Sequence, residues 1–307
     1  MRRLLLWMAR STWLRERVPR LPPVRRAIRR FMPGEDPEAA LAQAEQFRDE
    51  QIGSLFTRLG ENISRIEEAD ATADHYLGLL DQISTRQIPG ELSVKLTQLG
   101  FDIDEQRTLD HMARLAERAG QDGRIVWIDM EGSAYTERTI ALYERLRAGH
   151  RNVGICLQAY LRRSAADVAR LLPSDPAIRL VKGAYDEPAA LAYRTRSAVS
   201  TNYMALSVEL LTAIAAGRPV RLGLGTHDVA LIEQLAEHAA ALGLDRSAFE
   251  VQMLYGIRMA DQRRLAADGY RLSDLIAYGT AWYPWYMRRL AERPANVWFV
   301  IKNVFAR

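Results

Sequence analysis

The chain has 307 residues, 48% of them hydrophobic and 26% charged, so it is long enough for one large globular domain or two small ones. A net charge of +4 is far below that of a nucleic-acid-binding arm, although the arginine-rich start favours anionic ligands or acidic surfaces. Cys156 is the only cysteine, which excludes an internal disulfide and favours a reducing compartment.

The first 34 residues combine apolar and arginine positions at helical spacing. The apolar run at residues 4–9 is too short for a membrane span or a signal-peptide core. Trp7, Trp13, Leu14 and Val18 share one side of a predicted basic helix. Two interpretations stay open: a helical arm packed on the main domain, or a peripheral membrane contact. Pro19, Pro22 and Pro23 are predicted to break this helix, because proline disrupts helical hydrogen bonding.

Eight short apolar or β-branched runs follow from residue 51, separated by helical patterns at the spacing of βα units. This strict alternation predicts a parallel (βα)₈ barrel of the TIM type rather than an open doubly wound sheet. We therefore expect an N-terminal helical arm over residues 1–50 and an α/β barrel over residues 51–307. The predicted strands are QIGSLFTRLGE, LSVKLTQLG, RIVWIDME, NVGICLQAY, IRLVKGAY, PVRLGLGTHD, FEVQMLYGI and RLSDLIAYG.

Polar or small side chains stand where each predicted strand ends. In a parallel barrel all of these ends open onto one face, so the side chains are expected to converge on one bowl. One polar residue after a strand is ordinary loop chemistry, but eight strands that share the feature predict an active-site face. These residues are Glu61, Lys95, Asp129 with Glu131, Gln158, Lys182 with Tyr185, Thr226 with His227, Tyr255 and Tyr278.

The motifs exclude several chemistries for this bowl. No metal site is predicted, because His227 and Asp228 are adjacent and no HExxH or Cys/His cluster supplies further ligands. A GxSxG elbow is absent, and GLGTHD lacks the third glycine of a dinucleotide fingerprint. Two hypotheses remain: Lys95 or Lys182 forms a Schiff base, as in barrel aldolases, or the cations hold an anionic ligand beside a cofactor.

Seven motifs, in order, resemble the proline dehydrogenases: SVKLTQLG, DME, LQAY, RLVKGAY, THD, YG and WYPWYMRRLAERP. The resemblance runs from about Gly53 to the end of the chain. It implies a distorted (βα)₈ barrel and a flavoenzyme that uses FAD to oxidise L-proline to 1-pyrroline-5-carboxylate, the first step of proline catabolism to glutamate. The length resembles the stand-alone bacterial form, without an aldehyde dehydrogenase module.

The resemblance also implies residue roles at the substrate. Arg288 and Arg289 would clamp the proline carboxylate, because a planar guanidinium binds a carboxylate better than an ammonium does. Lys95 would add a third cation, balanced by Asp129, Glu61 and Glu292, and Glu61 would pair with Arg289 to close the site. The pyrrolidine ring would contact Tyr278, Tyr185 and Leu254. Trp285 departs from the tyrosine that many relatives carry.

For the cofactor, the resemblance places Arg179 near the flavin nitrogen that accepts hydride. Gln158 and Lys182, with the adjacent Gly183, would contact the isoalloxazine ring, and Thr226 with His227 the ribityl and pyrophosphate groups. Electrons would pass to a membrane quinone, and a separate pyrroline-5-carboxylate dehydrogenase would act downstream. The implied location is cytoplasmic, peripheral on the inner face of the cell membrane, with no nucleic-acid partner.

Overall fold

A computed structural model describes residues 11–18, 24, 28–60 and 63–292, without the side chains of residues 12, 15, 16 and 288–292. Eight parallel strands hydrogen-bond in chain order, and the first pairs with the last to close the barrel. The predicted fold class is therefore confirmed, and each of the eight predicted runs overlaps one strand. The strands are β1 Gly53–Arg58, β2 Gly90–Val94, β3 Val126–Ile128, β4 Val153–Gln158, β5 Ala177–Val181, β6 Arg221–Gly225, β7 Glu250–Leu254 and β8 Arg271–Tyr278.

Helices surround the barrel, and several begin at a residue whose side chain accepts a hydrogen bond from the first turn. Asp104, Thr195 and Asp228 are such N-caps; Asp104 Oδ1, for example, accepts from the Arg107 amide at 2.9 Å. The helices are α1 Thr12–Arg17, α2 Pro37–Asp49, α3 Ile66–Thr85, α4 Glu105–Gly120, α5 Ser133–Arg147, α6 Ser164–Leu171, α7 Arg196–Ala215, α8 Val229–Ala241, α9 Met259–Ala267 and α10 Trp282–Glu292. Leu96–Leu99 and Leu172–Ser174 form short 3-10 turns.

Alternation along the strands divides side chains between two environments. One set, including Phe56, Val94 and Leu180, packs outward against the helices in the main hydrophobic core. The other set faces the barrel interior, where Leu55 and Trp127 form a smaller cluster with Ala177 and Leu275. Both faces of the strands are buried, which explains why the sequence shows continuous apolar runs there.

Ion pairs cross the barrel interior near the amino ends of the strands. Arg221 on β6 donates to Glu91 across the barrel on β2 at 2.7 Å and to Glu250 on β7 at 2.5 Å. Burial opposes ionisation of Glu250, but Arg221 outweighs it and holds the pKa of that carboxyl below its ordinary value. Glu91 also accepts from the Trp127 indole at 2.8 Å. This network closes the end of the barrel opposite the predicted bowl.

Helix α7 is the one described helix that is long and apolar enough to cross a membrane, by length and composition alone. Its side chains Tyr203, Leu206, Leu210 and Leu211 are buried in the main core. The Tyr203 hydroxyl donates to the Leu180 carbonyl of β5 at 3.1 Å. These contacts place α7 in the outer ring of the barrel.

The chain before the barrel packs on it at two places. Helix α2 buries Ala40, Leu41, Ala44 and Phe47 in the same core as the barrel strands. A second apolar cluster, which we name the aromatic cluster, joins the start of the chain to α10. It contains Ile28, Phe31, Met32, Leu59, Ala277, Trp282, Tyr283, Trp285, Tyr286 and Met287.

Helix α1 covers part of the predicted amphipathic start. Leu14 and Val18 pack against the aromatic cluster, whereas Trp13 is 58% exposed and lies 4.8 Å from the Arg17 guanidinium. Trp7 lies outside the described residues. Within the described part, α1 thus has one side on the protein and one large apolar side chain in solvent.

Candidate active site

Arg179 lies at the centre of a buried polar group in the barrel interior. Its Nη1 donates to Ser93 Oγ at 2.7 Å and to Asp129 Oδ1 at 2.9 Å, and its Nε donates to Gln252 Oε1. These partners come from β2, the end of β3 and β7, so the contacts cross the barrel. The guanidinium also lies 4.8 Å from the ring centre of Trp127. Ser93 in turn donates to Asp129 Oδ1 at 2.6 Å.

Lys95 joins this group because it follows Ser93 by two residues and therefore faces the same side of β2. Its Nζ lies 3.9 Å from Asp129 Oδ2, and its side chain is mostly buried. The carboxylate of Asp129 thus stands between two cations, Lys95 and Arg179. The structure thus brings together Lys95 and Asp129, which were predicted at two strand ends, and Arg179, which the family resemblance placed near the flavin.

Lys182 makes a different ion pair near the end of β5. Its Nζ donates to Asp228 Oδ2 at 2.8 Å and to Ser200 Oγ at 3.1 Å. The hydrogen bond from Lys182 holds the pKa of Asp228 below its ordinary value. An ammonium held in this way is a poor Schiff-base nucleophile, because the amine must first lose its proton. The geometry of Lys182 therefore gives the aldolase hypothesis no support.

Gly183, next along the chain, has φ +103°. A Cβ at this position would lie 2.2 Å from the Tyr160 ring, so the neighbouring ring as well as the backbone requires glycine. Tyr185 packs with Tyr160, Leu161 and Ala192 in a small cluster at the start of the β5–α7 connection.

The remaining predicted cofactor residues lie at the ends of β4 and β6. Gln158 is buried, and its Nε2 donates to the Glu131 carbonyl at 3.2 Å; its Oε1 has no hydrogen-bond partner in the described part of the chain. Thr226 Oγ1 accepts from the Asp228 amide at 3.2 Å. His227 Nε2 accepts from the Leu254 amide at 3.4 Å, which places these two predicted residues in contact.

Tyr278 does not join the group around Arg179 in the structure. It packs in the core outside the barrel wall, and its hydroxyl lies 2.9 Å from His75 Nε2 on α3. The reason is strand parity: Leu275, three residues earlier, packs with Leu55 and Trp127 in the interior, so Tyr278 faces the other way. Burial raises the pKa of the Tyr278 hydroxyl well above its ordinary value.

The predicted carboxylate clamp falls outside the described side chains. The backbone of Arg288 and Arg289 belongs to α10, but the structure describes neither guanidinium, nor the side chain of Glu292, and Glu61 lies outside the described residues. The aromatic residues before the arginine pair are described, and they build the aromatic cluster. The Trp282 indole donates to Glu35 Oε1 at 2.8 Å, which ties α10 to the chain before α2.

Ser93, Trp127 and Gln252 contact Arg179 but were not singled out from the sequence. A signal existed, because Ser93 precedes Lys95 by two residues and Gln252 precedes Leu254 by two, so each pair faces one side of its strand. Cys156 is buried next to Arg179 on the neighbouring strand β4, and burial raises the pKa of its thiol to about 12. A thiol of that kind is a packing residue.

A closed parallel (βα)₈ barrel with buried cations and a carboxylate at the carboxyl ends of its strands is the architecture of the barrel enzymes. Among these, the chain belongs to the proline dehydrogenase family, whose model matches residues 40–302. It is 34% identical over 288 residues to proline dehydrogenase 1 of Bacillus subtilis subsp. natto, with 92% of each chain covered. It is 35% identical over 280 residues to the proline dehydrogenase of Deinococcus radiodurans, with 90% of this chain and 89% of that one covered. The family predicted from the motifs is confirmed.

Solved structures agree on the fold. Proline utilization A from Bdellovibrio bacteriovorus, inactivated by N-propargylglycine, superposes with a TM-score of 0.81 at 23% identity and covers 92% of this chain. A Bradyrhizobium japonicum proline utilization A mutant gives a TM-score of 0.72 at 21% identity and covers 91% of this chain. This chain spans about a third of those longer proteins, 34% and 32%. The likeness therefore concerns the fold of this chain and not the rest of those longer proteins.

Proposed function

We propose that this family member oxidises L-proline to 1-pyrroline-5-carboxylate with FAD as the hydride acceptor. The observation that supports a bound cofactor is a set of buried polar atoms in the barrel interior that have no hydrogen-bond partner in the part of the chain that the structure describes. Arg179 Nη2 and Gln158 Oε1 have no hydrogen-bond partner among the described residues, although both side chains are almost fully buried. Buried polar atoms are normally satisfied, so their partners are expected to come from a ligand.

The donor set suits a flavin. FAD supplies acceptance of the hydride, and its reduced form carries extra negative charge, which fixed cations stabilise. Arg179, Gln158 and Lys182 would face the isoalloxazine ring, with Gly183 beside them. Thr226 and His227 would hold the ribityl and pyrophosphate part. In the described part of the chain no three His, Cys, Asp or Glu side chains gather into a metal site.

The substrate would be held by its carboxylate. Arg288 and Arg289 would form the clamp, with Lys95 as a third cation beside Asp129. Glu61 would pair with Arg289 when the site closes. Proline is protonated at nitrogen in water, and nearby positive charge lowers the pKa of that amine. The surroundings of Lys95 and Arg179 would thus favour loss of the amine proton before hydride leaves the ring.

The test of this proposal is spectroscopic. The purified protein is expected to show a flavin absorption spectrum that bleaches on anaerobic addition of L-proline and returns when a soluble acceptor is added. Glycine serves as the control amino acid, because it has a carboxylate but no ring to oxidise. A colourless protein, or a lysine trapped by borohydride with a carbonyl substrate, would contradict the proposal.

Strand parity leads to a prediction about substrate preference. Leu275 pairs with Leu254 across β8 and β7, and both side chains are partly exposed on the interior side. We expect Leu275→Ala to enlarge the pocket that would hold the pyrrolidine ring. The preference for proline over 4-hydroxyproline should then narrow by roughly tenfold, a typical effect of a small change in an apolar pocket.

Tyr278→Phe is the matched comparison on the other face of β8. It removes only the hydrogen bond to His75 and should cost about 1 kcal/mol of stability while leaving that preference unchanged. Comparison of kcat/KM for the two substrates in each variant decides between the positions. A large change with Tyr278→Phe and none with Leu275→Ala would restore Tyr278 as the residue beside the ring.

The electron acceptor is proposed to be a membrane quinone, reached by a cytoplasmic protein bound to the inner face of the membrane through α1. A separate pyrroline-5-carboxylate dehydrogenase would consume the product. Trp13 supports the membrane contact because it is exposed beside Arg17, and Trp with Arg is suited to an anionic bilayer surface.

Vesicle co-sedimentation tests this contact. We expect wild-type protein to sediment with anionic vesicles at low salt and Trp13→Ser to bind several-fold more weakly, because the substitution removes the exposed indole. Ile103, 44% exposed beyond β2, provides the control, and Ile103→Ser should sediment like wild type. Wild-type protein that stays in the supernatant at low salt would remove the membrane proposal.

A further inference from the structure

Arg179 uses its donors unequally. A guanidinium has five N–H donors, one on Nε and two on each terminal nitrogen. The Nε donor goes to Gln252, and the two on Nη1 go to Ser93 and Asp129. Nη2 is buried, with no hydrogen-bond partner among the described residues. The protein thus holds three donors and leaves two for a ligand.

Gln252 holds the guanidinium of Arg179 in an orientation that leaves Nη2 available. Arginine can only donate, so the amide oxygen of Gln252 must be the atom that faces Nε, and this assignment leaves Gln252 Nε2 as a second buried donor. That nitrogen, too, has no hydrogen-bond partner in the described ranges. Gly223 on β6 leaves the space for this side chain, since a Cβ there would lie 3.1 Å from Gln252 Cδ.

Ser93 holds the Nη1 side of the Arg179 guanidinium. Its hydroxyl accepts from Arg179 at 2.7 Å and donates to Asp129 at 2.6 Å, so it stands between the two charges. Only Nη1 of Arg179 bonds to Asp129 in the described structure, through one oxygen. The Trp127 ring lies 4.8 Å from the guanidinium carbon and supports the plane. In this arrangement the guanidinium and the carboxylate share one hydrogen bond and do not form a bidentate pair.

We propose that Gln252 and Ser93 are positioning residues that hold Arg179 apart from a bidentate pair with Asp129, so that its charge favours reduction of the bound cofactor. The inference rests on the proposed function, because it needs a flavin beside Arg179. When Gln252 is lost, the guanidinium is free to rotate onto Asp129, and the carboxylate neutralises it. A cation fixed in advance stabilises developing negative charge at no cost of reorganisation.

The test is the two-electron midpoint potential of the flavin in the holoenzyme, measured against a reference dye. We expect Gln252→Leu to lower the equilibrium constant for reduction about tenfold, which corresponds to about 30 mV for a two-electron couple. Gln252→Glu should lower it further, because a carboxylate beside Nε neutralises Arg179 directly. Ser93→Ala should shift it in the same direction.

Ser54 provides the matched control. It is a buried serine on β1 that faces the outer side of the barrel wall, paired in register with Asp274. Ser54→Ala should leave the potential at the wild-type value. If Gln252→Leu does not retain flavin, the milder Ser93→Ala variant decides the question.

Variants that bind flavin and keep the wild-type potential would overturn the inference and leave the proposed function intact. A wild-type protein that binds flavin but is not reduced by proline would overturn the proposed substrate, while the potentials would still test Gln252 and Ser93. A wild-type protein without flavin would overturn both.

Discussion

Replacement of Arg288 or Arg289 by methionine is expected to lower kcat/KM for proline by roughly 30-fold to several thousand-fold while the protein stays yellow. The reason is the loss of one arm of a charge-assisted clamp on the substrate carboxylate, which typically costs about 2–5 kcal/mol in a desolvated site. Methionine keeps an unbranched apolar stem and has a high helix propensity, so the α10 helix should be preserved. Steady-state kinetics with a soluble dye as acceptor measure the effect.

Arg246→Met is the control for charge alone. Arg246 lies in the connection from α8 to β7, at the amino ends of the strands, where its guanidinium donates to the Asp268 carbonyl. It should change kcat/KM little. Near-normal efficiency in both the Arg288 and Arg289 variants would contradict the carboxylate assignment.

Asp274→Val is expected to stabilise the protein increasingly as the pH rises. Asp274 lies on β8, facing outward and fully buried, and neither carboxyl oxygen has a hydrogen-bond partner among the described residues. Gln262 on α9 opposes the effect of burial only weakly, since its amide nitrogen donates to the carbonyls of Leu254 and Ile257. Burial raises the pKa of Asp274 from 3.8 to about 8.

The sign of the pH dependence follows from proton binding. Between pH 4 and pH 8 the unfolded chain loses the Asp274 proton while the folded protein keeps it, so the free energy of unfolding falls as the pH rises. The slope is about 1.4 kcal/mol per pH unit, which amounts to about 4 kcal/mol between pH 5 and pH 8. Above pH 8 Asp274 is ionised in both the folded and the unfolded state, so its destabilising effect no longer changes with pH.

Urea unfolding of wild type and Asp274→Val at pH 5 and pH 8 measures this effect. The variant should lack the slope, because valine has no proton to lose, and its branched side chain suits a buried strand. Glu237→Gln on the exposed face of α8 removes a carboxyl without burial and should keep the wild-type slope. Equal pH dependence in Asp274→Val and wild type would show that Asp274 ionises normally in the folded protein.

The sequence alone determined the architecture. Strands buried on both faces require continuous apolar runs, so eight such runs separated by helical patterns specified a parallel barrel, and all eight strands occur where they were predicted. It also placed Lys95 and Asp129 at one end of the barrel, because the carboxyl ends of parallel strands share a face. Arg179 was assigned to the site by the motif resemblance alone. The ordered motifs then identified the family.

Only the tertiary structure decided which way individual side chains face and what they meet. Strand β8 has polar and apolar residues on both sides, so its sequence carries no alternation that assigns Tyr278 outward and Leu275 inward. Arg179 meets Ser93 and Gln252 across separations of 86 and 73 residues, which no local pattern encodes. The aromatic residues of α10 find their partners near Phe31, at the other end of the chain. The local spacing of apolar residues indicates which segments are buried. Contacts across a closed barrel depend on strand register and barrel closure, which exist only in the folded chain.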